Sequence, residues 1–243
     1  MSPLAVFGFA SITALCTGLG VLPFAIIKKP SRIWMGIFNA LAAGLMLAAS
    51  GSLLYEGMDY GLWYLELGII LGLVFVWLSK KWLEGREEVR FENLDRVNAS
   101  KVIMILAVMT VHSFTEGVGV GVSFSGSEGL GQFITTAIAI HNIPEGLAIA
   151  LVLIPRGSSV FKASLWAVFS SLPQPLMAVP AFMFVEWFHE ILPIGLGFAG
   201  GAMIWMVFSE IIPEAIEDAK PSIVATVVTL SIAAMLIFQS LVG

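Results

Sequence analysis

A chain of 243 residues that is 58% hydrophobic and 12% charged, with a net charge of −5, lies far from soluble domains, which are about 45–50% apolar and about 25% charged. A mean hydropathy of +0.95 excludes a water-soluble globular core, and a single cysteine, Cys16, excludes a disulfide framework or a cluster of thiolate ligands. A membrane-crossing helix needs about 20 apolar residues, so the length holds roughly eight spans with short links and no separate soluble domain.

Apolar runs lie at 4–27, 33–54, 62–78, 102–124, 129–154, 161–188, 191–212 and 222–242, each long enough to cross a bilayer as a helix. The amino terminus has no basic region before its first apolar run, so that run reads as a retained span and not as a cleaved signal. Cys16 within it reads as a small buried residue, while Thr13, Thr17, Gly18 and Gly20 suit either a polar path or close helix packing. The second span carries Ala42-Ala43-Gly44-Leu45-Met46 and the seventh Ala199-Gly200-Gly201-Ala202-Met203. Gly44 and Met46 match Gly201 and Met203 at one offset, and the spans run in opposite directions, which predicts an inverted repeat.

The links carry the orientation signal. All twelve basic residues fall in or beside the links after spans 1, 3, 5 and 7: Lys28, Lys29, Arg32; Lys80, Lys81, Arg86, Arg90, Arg96, Lys101; Arg156, Lys162; Lys220. Excess Lys and Arg mark cytoplasmic links, so those links are expected inside and both termini outside. The opposite face carries Glu56, Asp59, Glu66, Glu128, Glu186 and Glu190. One longer link, 79–101, is dense in both signs of charge and reads as a cytoplasmic loop, helical over 80–90.

Spans 4 and 5 hold the chemistry. Span 4 contains His112-Ser113-Phe114-Thr115-Glu116-Gly117 and span 5 His141-Asn142-Ile143-Pro144-Glu145-Gly146. A spacing of four puts each His and Glu on one helical face, and both histidines fall near the middle of their spans. Because the spans are antiparallel, two imidazoles and two carboxylates are expected to converge about a pseudo-two-fold axis. A carboxylate at mid-membrane costs at least about 2.5–3.5 kcal/mol, and two without a nearby basic residue repel one another. A divalent cation neutralises both and accepts imidazole nitrogen; nitrogen and oxygen donors without thiolate suit zinc, iron(II), manganese or cadmium. Pro144 removes one helical hydrogen bond and frees the carbonyl near Ile140, which either opens the helix to ion or water or simply kinks it.

The paired His-x-x-x-Glu-Gly motifs, with Leu147-Ala148 after the second, closely resemble the metal-binding helices of the ZIP (Zrt/Irt-like) metal transporters, in the branch with prokaryotic and plant-organelle members. The resemblance extends over essentially the whole chain, 1–243, as a single eight-helix transmembrane domain. It implies one metal site from His112, Glu116, His141 and Glu145, with the glutamates bridging to a second site at Ser113, Asn142 and a span 6 position, Gln174. It also implies an exit-path ligand at Glu210; reaching toward the membrane interface explains that carboxylate and Glu214 equally well. Many relatives carry Asn or Asp where this chain has Ser113, and Glu where it has Gln174, so the second site is expected to be weak or empty. The 79–101 link lacks the histidines many relatives carry there.

The expected function is transport of zinc, with iron(II), manganese or cadmium as alternatives, toward the cytoplasm across the plasma (inner) membrane or an organellar one. By the same resemblance spans 1, 4, 5 and 6 move against spans 2, 3, 7 and 8. The metal is substrate, and no organic cofactor is expected. Partners are the divalent ion, the lipid bilayer and, as in many relatives, a second copy of the chain; no nucleic acid is expected. The competing reading is an intramembrane zinc metalloenzyme, since a His/Glu zinc site also activates water; its usual His-Glu-x-x-His motif is missing from the sequence. A proton or anion carrier using the same side chains as relays is the further rival.

Overall fold

The computed structural model describes residues 1–26, 31–84 and 94–242. Those residues are almost entirely helical, with no strand among them. The helices are α1 (Pro3–Leu19), α2 (Arg32–Met58), α3 (Leu62–Glu84), α4 (Leu94–Gly126), α5 (Glu128–Leu153), α6 (Val160–Ser171), α7 (Pro173–Trp187), α8 (Leu192–Met206), α9 (Ile212–Asp218) and α10 (Pro221–Val242). Among the described residues, seven helical stretches are long and apolar enough to cross a membrane. The remaining predicted span falls within α4, a 33-residue helix whose apolar run is interrupted by His112, Ser113, Thr115 and Glu116.

Burial sorts these helices into an inner and an outer set. In the most apolar 18 residues of Arg32–Met58, Glu128–Arg156 and His189–Asp218, 61% are buried, against 22% in Leu62–Leu83 and 17% in Pro221–Leu241. The outer helices face away with Trp63, Tyr64, Ile70, Leu230, Ile237 and Leu241 exposed, side chains that only a lipid surround would solvate. Around the inner set α3 packs on α8, α4 on α7, α10 on α2, and α1 on α5. A hydrophobic core including Met46, Leu53, Phe133, Ile134, Leu196 and Met203 fills the centre.

Small residues permit these contacts. A Cβ on Gly117 would lie 2.6 Å from the Gln174 carbonyl oxygen, and one on Gly146 would overlap the Thr17 carbonyl. Backbones therefore approach as closely as membrane helices do at small-residue faces, drawing α7 onto α4 and α1 onto α5.

Three boundaries depart from the sequence reading, and prolines account for two. The predicted span at 161–188 is two helices, α6 and α7, parted at Leu172. Pro173 has no N–H for the Phe169 carbonyl, and Leu172 N–H donates to it instead at 3.2 Å. The predicted span at 191–212 runs on to Asp218 through a π-helical turn, Val207–Ile211. Pro213 leaves the Ser209 carbonyl without its usual donor, and the wider register occupies the turn before it. The charged link is narrower than 79–101, because α3 continues through Glu84 and α4 begins at Leu94. Lys81 in the last turn of α3 suits the negative end of the helix dipole. The part of the expected 80–90 helix beyond Glu84 lies outside the described residues.

Candidate metal centre

Two of the four mid-helix ligand candidates stand one turn apart on α5. His141 Nε2 lies 3.3 Å from Glu145 Oε1, the i, i+4 contact the spacing predicts. From α4, Glu116 brings Oε1 to 3.3 Å from the same His141 nitrogen. Glu116, His141 and Glu145 form a group whose ligand atoms all lie within 4.8 Å of one another. Glu116 is 0% exposed, His141 1% and Glu145 8%.

This core is short of partners. His141 Nδ1 and Nε2 and Glu116 Oε1 have no well-aligned hydrogen bond although all are buried. Close distances from His141 Nε2 to two carboxylate oxygens, without hydrogen-bond alignment, leave charge and lone pairs for a cation to satisfy.

The other oxygen of Glu116 is engaged. Gln174 Nε2 donates to Glu116 Oε2 at 2.6 Å. Its Oε1 accepts from Asn142 Nδ2 at 3.0 Å and lies 2.6 Å from the Thr13 hydroxyl. Asn142 Nδ2 also donates to the Thr13 carbonyl at 2.7 Å. The carboxylate fixes the amide's orientation, because only the nitrogen end can donate to it. Ser113 Oγ and Asn142 Oδ1 are buried without partners.

His112 turns to a different carboxylate. Its Nδ1 lies 3.1 Å from the Val108 carbonyl, which assigns the ring hydrogen to Nδ1 and leaves Nε2 as the ligand atom. Nε2 lies 3.2 Å from Glu210 Oε2, in the π-helical turn, and Lys80 Nζ lies 3.2 Å from Glu210 Oε1. A cleft joins the two groups, lined by Asn39, His112, His141, Glu145, Glu210 and Glu214 among others. The predicted convergence of four groups is thus resolved into a triad and a neighbouring His112–Glu210 pair along one cleft.

Known proteins agree with this chemistry. The sequence model of the ZIP zinc transporter family matches residues 79–239, which contain every residue of the triad and of the pair. The chain belongs to the ZIP family. Zinc transporter GufA of Myxococcus xanthus is 30% identical over 216 residues, 84% of this chain and 85% of that protein. Zinc transporter ZIPB of Bordetella bronchiseptica is 32% identical over 226 residues, 85% of this chain and 70% of that protein. A protein of Arabidopsis thaliana named as a zinc transporter is 48% identical over 230 residues. The chain spans 37% of the length of that plant relative and the larger part of the two bacterial ones. With its seven apolar helical stretches, this ZIP protein is an integral, multi-pass membrane protein.

Three residues of this ZIP centre went unassigned in the sequence. By sequence Thr13 suits either a path or packing and Lys80 belongs to the charge of its link, whereas in the structure Thr13 meets Gln174, Lys80 meets Glu210 and Asn39 lines the cleft. A polar amide inside an apolar run was the available signal for Asn39; Thr13 and Lys80 meet their partners across 161 and 130 residues of chain, which no local pattern reports.

Proposed function

We propose that this ZIP protein carries a divalent transition-metal ion, zinc first with iron(II), manganese or cadmium as alternatives, across the membrane toward the cytoplasm. The observation that carries this reading is the buried Glu116–His141–Glu145 triad, with its ligand atoms within 4.8 Å of one another and no basic side chain paired with it among the described residues. Two carboxylates and an imidazole without thiolate match the oxygen and nitrogen preference of these ions. Ligands shared among several sites hold an ion weakly enough to release it.

In this reading the ion passes between the triad and His112–Glu210, with Ser113, Asn142 and Gln174 beside the triad as a second site that takes no ion. The Gln174 amide already donates to the oxygen that would bridge there. The chain acts as one transmembrane domain over 1–243 with eight spans, α4 among them, both termini outside and the charged link between α3 and α4, within 79–101, in the cytoplasm. The placement of all twelve basic residues supports that orientation. The matched faces of α2 and α8 support an inverted repeat: Gly44 packs against Val228 and Ser231 of α10, and Gly201 against Ile69 of α3. Assembly as a homodimer and residence in the plasma (inner) membrane complete the proposal.

A metalloenzyme built on the same triad is disfavoured, since GufA and ZIPB are named zinc transporters. The deciding experiment is zinc flux into proteoliposomes, compared with iron(II), manganese and cadmium, with Glu145→Ala as control. Uptake lost in the control supports the reading; absence of flux with the unaltered chain overturns it.

A further inference from the structure

Glu210 faces His112 Nε2 with one oxygen and the Lys80 ammonium with the other, each at 3.2 Å. Its side chain is 15% exposed, so its charge needs a counter-ion. The two partners differ in chemistry. Neutral imidazole has a lone pair and joins a metal's ligand shell; an ammonium has three donors and no lone pair, and never does. A divalent ion entering between His112 and Glu210 therefore gains a ligand from one neighbour and meets a like charge in the other.

We infer that Lys80 is a tethered cation that competes with the transported ion for Glu210, occupying the carboxylate when the ion is absent and shortening the ion's stay when it arrives. The inference rests on the transport reading and adds a residue that sets release. The Lys80 ammonium also lies 5.4 Å from the centre of the Trp205 ring, whose face attracts ammonium, so a favourable contact remains to it when an ion takes the carboxylate. Lys80, His112 and Glu210 also border one small cavity with Val76 and Val108, so the ammonium, the imidazole and the carboxylate face a common space. Displacement in this partly buried place follows from charge repulsion, which strengthens as water is excluded.

The test uses the full-length chain, with zinc as probe. Lys80→Met and Lys80→Gln are compared with Lys80→Arg, each alone and with Glu210→Gln, for zinc affinity in detergent and for zinc release and uptake in proteoliposomes. The two neutral variants are expected to bind zinc about tenfold more tightly, the scale of a modest charge-pair coupling, with release slowed by a similar factor. Lys80→Arg is expected to stay near the unaltered protein, and with Glu210→Gln present the Lys80 substitutions are expected to change neither quantity. Unchanged affinity and release in both neutral variants overturns the inference, as does an effect that persists undiminished beside Glu210→Gln. The transport reading fails separately, if the unaltered chain moves no zinc.

Discussion

Gln174 Nε2 donates to Glu116 Oε2 at 2.6 Å, so a buried amide from α7 occupies the oxygen of Glu116 that does not face His141. The contact depends on backbone geometry as much as on the side chains. Pro173 breaks the sixth predicted span just before it, and Gly117 lets α7 lie against α4 at the next residue after Glu116. The amide is itself held from behind by Asn142 and Thr13, which removes its freedom to rotate away. One oxygen of Glu116 is left facing His141.

Replacing that amide with a carboxylate tests whether it sets the ion count. Gln174→Glu removes the donor to Glu116 and adds a third buried negative charge, which two ions neutralise better than one. Zinc bound per chain, measured by calorimetry and by elemental analysis of the purified protein, is expected to rise from one to two. An unchanged count together with unchanged metal selectivity contradicts the single-ion reading.

Loss of a triad ligand is expected to appear in stability as well as in flux. At zinc concentrations 100-fold above its dissociation constant, an ion that binds only the folded protein stabilises it by about 2.7 kcal/mol. Glu145→Gln keeps the volume and removes the charge, and is expected to abolish most of the zinc-induced rise in melting temperature while leaving the zinc-free protein folded. Thermal unfolding followed with and without zinc measures this; a full zinc-induced shift in the variant contradicts the role of Glu145.

The closeness of α4 and α7 makes a separate prediction. A methyl group on Gly117 would stand 2.6 Å from the Gln174 carbonyl oxygen and 2.8 Å from its Cα. Gly117→Ala is expected to destabilise the protein by about 1–3 kcal/mol through overpacking and to lower zinc uptake by shifting Gln174 off Glu116. Adding a methyl at Gly51, where a Cβ meets nothing within 4 Å, serves as the matched control and is expected to leave uptake unchanged. Equal effects at both positions contradict the argument.

A surface ion pair supplies the opposite case. Arg32 Nε donates to Asp218 Oδ1 at 2.7 Å, linking the start of α2 to the end of α9, but the arginine side chain is 75% exposed. Exposed pairs of this kind contribute little because water and salt screen them. Arg32→Ala is expected to leave both the melting temperature and zinc uptake within experimental error, and a clear loss in either shows that the two helix ends depend on the pair.

What was legible in the sequence was local. Apolar length marked the helices, and a spacing of four put His141 beside Glu145, because residues that far apart on a helix are neighbours whatever surrounds it. The same spacing in α4 placed His112 and Glu116 on one face but left open which neighbour each would meet. Packing decided that: Glu116 turned to His141 on α5 and to Gln174 on α7, while His112 turned to Glu210, 98 residues away, in a π-helical turn that Pro213 favours. Contacts between helices depend on where glycines let backbones close and where prolines break them, and their geometry emerges only once the helices are assembled. The sequence therefore determined that the chain crosses membranes as apolar helices and which side chains are candidates for metal chemistry, and the tertiary structure decided how those side chains divide into a triad, a neighbouring amide and a pair flanked by Lys80.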